Sequence, residues 1–212
     1  MLSILQAAGW PIWPLLICSI VALALIIERF MSLRPTRVAP ARLLDEVMTV
    51  TRTGLPPADT IDKLAENSTL GTVLADGLRA ATSDNRITEV NLRGAFETSG
   101  RQAVHDLERN LNALGTIASA APLLGLLGTV VGMIEIFGAS GASTGTAGGN
   151  PLELAHGISV ALYNTAFGLI VAIPSLAFYR HFRAKVDAYA LGLEQAAERM
   201  VPHILRLLGA RR

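Results

Sequence analysis

Three stretches of the chain contain no charged side chain: residues 1–27, 110–134 and 154–179. All 18 Lys and Arg fall in two blocks, 28–109 and 180–212. A helix rises about 1.5 Å per residue, so about 20 apolar residues cross a hydrocarbon core of about 30 Å. The pattern therefore predicts three membrane spans, at about 12–27, 111–134 and 158–179. The first is the shortest, and Trp10 and Trp13 suit an interfacial position that extends it. An Arg or Asp at the centre of a span costs about 2.5–3.5 kcal/mol, so the gaps in the charge map carry information.

The charged blocks read as helical. Residues 36–109 are rich in helix formers and lack the alternation of strands. Pro40 opens a short helix to about Thr51, and Pro56, Pro57 and Asp59 open another that ends near Asn67. Ser68 or Thr69 caps a third, which carries Leu70, Val73, Leu74 and Leu78. No Pro interrupts the chain from Arg86 to Ala121, which predicts one long helix running into the second span. After Tyr179 no breaker occurs until Pro202. Here Val186, Tyr189, Leu193, Ala196, Met200, Ile204 and Leu207 recur every three or four residues. That stripe suits packing on partner helices or on the chain's own 40–109 helices. The expected fold is all-α, an integral membrane protein with three transmembrane helices and long helices extending beyond the bilayer. Its layout is 1–28 N-terminus and first span, 29–109 helical region, 110–135 second span, 136–157 Gly-rich connection, 158–179 third span and 180–212 C-terminal helix.

Composition narrows the class. Hydrophobic residues make up 51% of the chain and charged ones 17%, against about 25% charge in soluble domains. That balance excludes disorder, nucleic-acid binding and a disulfide scaffold. Arg29, Arg34, Arg37 and Arg42 crowd the end of the first span, and Arg180, Arg183 and Lys185 follow the third. The positive-inside rule then puts 28–109 and 180–212 in the cytoplasm, with the N-terminus and 136–157 outside. Residues 1–27 lack a basic start and are interrupted by Pro11 and Pro14, as in a retained anchor rather than a cleaved leader. Cys18, inside this span, reads as a small packing residue. No Cys/His/carboxylate cluster suggests a metal, and no cofactor motif is present. His156 and His181 fall at interfaces. With no Ser/His or acid pair at depth, the chain does not read as an enzyme. The Gly/Ser-rich run 138–151 lacks the Gly-Lys-Ser/Thr ending of a phosphate loop and reads as a flexible connection. Asn67-Ser68-Thr69 fits a glycosylation triplet by chance.

The spans themselves are unusual in side-chain size. One helical face of the second carries Gly115, Ser119, Pro122, Gly125, Thr129 and Gly132. One face of the third carries Gly157, Ala161, Asn164 or Thr165, Gly168, Ala172 and Ser175. Small residues let helices approach closely in lipid, as Gly128 and Gly132 would allow, and rows of them also line narrow polar paths. Thr129 is six residues from Glu135, and Thr165 is seven from Ile158. Antiparallel neighbours would place both hydroxyls about 10 Å from the outer surface, at one level. Each can bond a carbonyl of its own helix, whereas the Asn164 amide needs partners at depth. Pro122 and Pro174 each free a carbonyl. Glu135 and Glu153 flank the connection, as solvated helix-end acids or as acids at a pore mouth.

Pro122-Leu-Leu-Gly125-Leu-Leu-Gly128-Thr129-Val-Val-Gly132-Met-Ile134, followed by Phe137, resembles the second-span signature of the MotA/TolQ/ExbB proton-channel family. Gly157-Ile-Ser159, Ala161-Leu162, Thr165-Ala166, Gly168-Leu169 and Ala172-Ile-Pro174 resemble its third-span signature, nearest the ExbB branch. The resemblance is strong over about 105–185. It implies a homo-oligomer, a pentamer in the ExbB and MotA branches, whose second and third spans line a pore around an ExbD- or TolR-like single-span partner bearing a membrane Asp. It also implies a bacterial inner-membrane location and coupling of proton flow to a TonB-like protein for outer-membrane uptake. Thr129 and Thr165 match the family's pore threonines. Asn164, Ser119, Gly125, Gly168, Pro122 and Pro174 join them as path residues, and lipids are expected neighbours. One departure stands out. Where ExbB and TolQ proteins usually carry a Glu five residues before the threonine, this chain has Val160. The alternatives are a TolQ-like envelope-maintenance subunit and a non-conducting scaffold.

Overall fold

A computed structural model of the chain describes residues 10–84, 86–142 and 151–210. Most of the N-terminal segment and the middle of the Gly-rich connection, both expected to face outward, lie outside the described residues. Among those described, every regular element is helical. In chain order these are α1 (Ile12–Ser32), α2 (Pro35–Val38), α3 (Leu43–Val50), a 3-10 turn (Thr51–Thr53), α4 (Ala58–Asn67), α5 (Thr69–Ser83), α6 (Glu89–Glu108), α7 (Leu111–Ala142) and α8 (Pro151–Ala210). Among the described residues three stretches are long and apolar enough to cross a membrane: Ile12–Ser32, one within Glu89–Gly138 and one within Gly157–Gly209. The chain forms two compact units, one of residues 1–28 and 110–181, the other of 29–109 and 182–212.

In the second unit the charged blocks fold as helices, two of them with side-chain N-caps. Pro57 precedes α4, and Asp59 in its first turn complements the helix dipole. The Ser68 hydroxyl accepts from Gly71 N–H at 3.1 Å and so caps α5. Thr88 does the same for α6 through Asn91 N–H. The core joins Leu43 and Val47 of α3, Leu74 and Leu78 of α5, Leu92 and Phe96 of α6, and Leu193, Met200 and Ile204 of α8. The C-terminal stripe thus packs on this chain's own helices. Gly77 faces the Phe96 ring so closely that a side chain there would overlap it. Ion pairs tie the surface, among them Arg79 with Asp62 at 2.6 Å and Arg183 with Glu108 at 3.0 Å.

The helices depart from expectation at their ends. The long helix expected from Arg86 through Ala121 is interrupted by two turn residues, Arg109 and Asn110. A physical reason lies at the end of α6. The buried Arg29 guanidinium donates to the Leu107 carbonyl at 2.8 Å, an oxygen that an unbroken helix would give to residue 111. The Gly-rich connection is shorter than 136–157, because α7 continues to Ala142 and α8 begins at Pro151. Neither Pro174 nor Pro202 ends α8. Both prolines are exposed, while neighbours such as Val171, Ala172, Met200 and Val201 are buried, so flanking packing holds the helix across the missing bond.

In the first unit, Leu15 of α1 meets Ala121 of α7 and Val171 and Ala172 of α8, with Ile117, Leu124 and Phe167 around them. Trp13, Ile17, Ile20, Leu23 and Ile27 are exposed. Such an apolar surface suits acyl chains.

Candidate functional site

The candidate site is the seam where α7 and the first half of α8 run antiparallel. Side chains added at the α7 glycines show how close the backbones lie. A Cβ on Gly125 would sit 2.8 Å from the Asn164 carbonyl oxygen, and one on Gly132 would sit 3.1 Å from the Ala161 Cβ. From the other side, a Cβ on Gly168 would sit 2.6 Å from the Ala121 oxygen. Gly128 faces the Asn164 side chain directly. Gly115 abuts the Tyr179 ring. Without apolar solvation to drive helices together in lipid, backbone approach and interhelical hydrogen bonds are what remain.

Four of the eight residues singled out as a polar path are built into this contact. Gly125 and Gly168 touch across it. Asn164 is 2% exposed, with Ala161 buried one turn before it and Ser175 buried farther along α8. Ser175 satisfies its hydroxyl on the Val171 carbonyl of its own helix at 2.7 Å. The Thr165 hydroxyl instead crosses the seam and donates to the Gly125 carbonyl at 3.1 Å. That is an interhelical bond, not the local one open to any membrane threonine.

Thr129 and Ser119 lie elsewhere. Thr129 is half-buried and donates to the Leu126 carbonyl of its own helix at 2.7 Å. It opens onto a shallow apolar recess with Val130, Met133, Ile134, Phe137 and Gly138. Ser119 is exposed and bonds the Gly115 and Thr116 carbonyls. Pro122 is half-buried and Pro174 exposed. The two threonines do not share a level. Gly125 lies opposite Thr165 and Gly128 opposite Asn164, so Thr129 is displaced by about one helical turn. The displacement arises because the seam's register is set by glycine contacts rather than by distance from the span ends.

Glu135 is exposed on α7, and Val160 of α8 is half-buried. The side chains of Glu153 and His156 lie outside the described residues. Among the described residues no group of three His, Cys, Asp or Glu is placed to hold a metal. Since 110–134 and 154–179 contain no Asp, Glu, Lys or Arg, the seam can offer hydroxyl and amide dipoles but cannot itself store a proton. Sequence reasoning had no signal for the cross-seam bond of Thr165. The glycines that admit it were visible, but not their register.

Comparison with known proteins places these features. Residues 65–195 match the MotA/TolQ/ExbB proton channel family. Biopolymer transport protein exbB1 of Vibrio cholerae is 31% identical over 81% of this chain and 74% of its own length. The ExbB-like 3 protein of Synechocystis sp. is 34% identical over 91% of this chain and 90% of its own. Tol-Pal system protein TolQ of Haemophilus influenzae is 38% identical over 44% of this chain and 40% of its own.

Proposed function

The chain belongs to the MotA/TolQ/ExbB proton channel family, and we propose that within it the protein is an ExbB-like subunit of a proton-driven motor in the bacterial inner membrane. In this reading several copies, five by family analogy, surround a single-span partner that carries the acid this chain lacks. The basic blocks face the cytoplasm, by the positive-inside rule. The motor's work is passed to a TonB-like protein for outer-membrane uptake, without enzymatic chemistry on this chain.

The observation that supports this best is the division of labour between the two spans. The α7–α8 seam is closed by Gly125, Gly128, Asn164 and Gly168, which leaves Thr129 on an outward face beside an apolar recess. A foreign helix bearing a carboxylate would find there a hydroxyl to bond and apolar surface to pack on. The carboxylate would carry the proton, because Thr does not ionise in this range. The test is reconstitution in vesicles with a single-span, acid-bearing partner, measuring proton flux down a pH gradient. Flux should require the partner, and Thr129→Val should lower it severalfold while assembly is kept. Full flux from this chain alone would overturn the reading.

Val160, at the place of the family's usual Glu, favours a second reading, a scaffold that does not conduct. It predicts no flux with any partner. The TolQ relative keeps envelope maintenance open as the client process, and identifying the protein that co-purifies with the complex decides between the two clients.

A further inference from the structure

The second unit carries a groove that its own core leaves open. In this unit α6 and the later part of α8 run antiparallel. Glu108 meets Arg183 at 3.0 Å and, fifteen residues along each helix, Arg93 meets Glu198 at 3.8 Å. Along this run the two helices border a groove of about 520 Å³. Phe96 and Val104 of α6 and Leu193 and Val201 of α8 make its apolar floor, with Gly100 among them. A Cβ on Gly100 would meet nothing within 4 Å. The floor therefore has room for an apolar side chain that neither helix supplies. The small side chains of Ala190 and Ala197 on α8 keep it open.

The rim is charged, and only one end of it is paired. Arg93 is shared by Glu89 and Glu198. Glu97 on α6 and Glu194 on α8 each lie four residues in from the Arg93–Glu198 pair, so they share a level on opposite banks. Both are exposed, and neither makes an ion pair or hydrogen bond among the described residues. Arg101, one turn beyond Glu97, pairs with neither of them. The rim is net acidic, three Glu against two Arg. Two like charges facing each other beside an apolar floor favour a cation between them. Ion pairs at an exposed rim contribute little alone, so an occupant needs the apolar seat as well.

We propose that this groove docks the cytoplasmic flank of the single-span partner, as a basic amphipathic segment. An apolar side chain of that segment sits over Gly100, and a Lys or Arg lies between Glu97 and Glu194. The positive-inside rule supplies the complementary charge. It puts the basic blocks of this chain, and the Lys/Arg-rich flank of any single span, on one side of the membrane. An amphipathic helix laid into an apolar groove is a recurrent mode of recognition. The identity of the occupant rests on the ExbB-like reading; the chemistry of the groove does not.

The experiment takes the full chain in neutral detergent and a fluorescein-labelled peptide of repeated Leu-Lys-Lys-Leu units, read by anisotropy. Binding should saturate and weaken as salt is raised, and the same peptide with Glu for every Lys should not bind. Glu97→Gln combined with Glu194→Gln should weaken binding about tenfold. Gly100→Leu, which fills the floor, should also weaken it severalfold with helicity unchanged. Glu46→Gln combined with Glu66→Gln removes two exposed acids outside the groove and should leave binding as it was. No saturable binding, unchanged binding in either groove variant, or an equal loss in the Glu46/Glu66 control overturns the proposal. A photocrosslinker at Arg101 then tests the occupant in vesicles holding the single-span, acid-bearing protein of the flux measurement. It should capture that protein through its cytoplasmic flank. No capture where flux requires the protein overturns the docking and leaves the channel reading standing. Capture without flux upholds the docking and overturns the channel reading.

Discussion

The same helix, α8, packs by opposite means along its length. In the first unit Ala161, Asn164 and Gly168 press against glycines of α7, and only Val171 and Phe167 add larger apolar packing, against Leu15 and Ala121. In the second unit its contact residues are Phe182, Val186, Leu193, Met200 and Ile204, all buried. Water makes the burial of large apolar side chains worth about 1.5–3 kcal/mol each. Lipid removes that drive, so stability there comes from how closely backbones meet. The contrast matches the packing expected of a lipid-facing half and of a water-facing half.

The comparison can be broken at several points, and the largest effect belongs to the watery half. Phe96→Ala should cost about 3–5 kcal/mol, read as an earlier thermal transition of the second unit, with helicity of the membrane spans retained. Next comes the seam. Gly125→Val would thrust a branched side chain into the Asn164 and Thr165 backbone, at about 1–3 kcal/mol, measured by unfolding in mixed micelles. If that variant is as stable as wild type while Phe96→Ala is not, backbone approach is not what holds the spans. A smaller effect, about 1 kcal/mol, is expected for Ser68→Ala at the α5 cap, from denaturant midpoints. Smallest is Thr165→Val, which removes one bond across the seam at about 0.6 kcal/mol. Set beside Thr129→Val, it separates two roles. Thr165→Val should lower seam stability, whereas Thr129→Val should leave stability nearly unchanged and lower flux.

Spans were legible because charges are costly in lipid, so their absence over 110–134 marks a helix position directly. Element ends were less legible. The turn at Arg109 and Asn110 contains neither Pro nor Gly, and a contributor to it, Arg29, lies 78 residues from its carbonyl. Pro202, in contrast, looks like a stop and is not one, because burial of Met200, Val201 and Ile204 outweighs one lost bond. The small-residue stripes were plain in sequence, but spacing alone could not divide them between seam and open face. Thr129 and Thr165 have the same chemistry, and only the register of Gly125 against Thr165 separates a hydroxyl that braces the seam from one left outside it.

Because α8 continues through residue 181 without interruption, tolerance to mutation should invert along a single helix. Upstream, adding bulk is the injury and trimming is forgiven; downstream, trimming is the injury. A scan of α8 with only two replacements, alanine and leucine, would trace where lipid gives way to water, a border that nothing in the backbone marks.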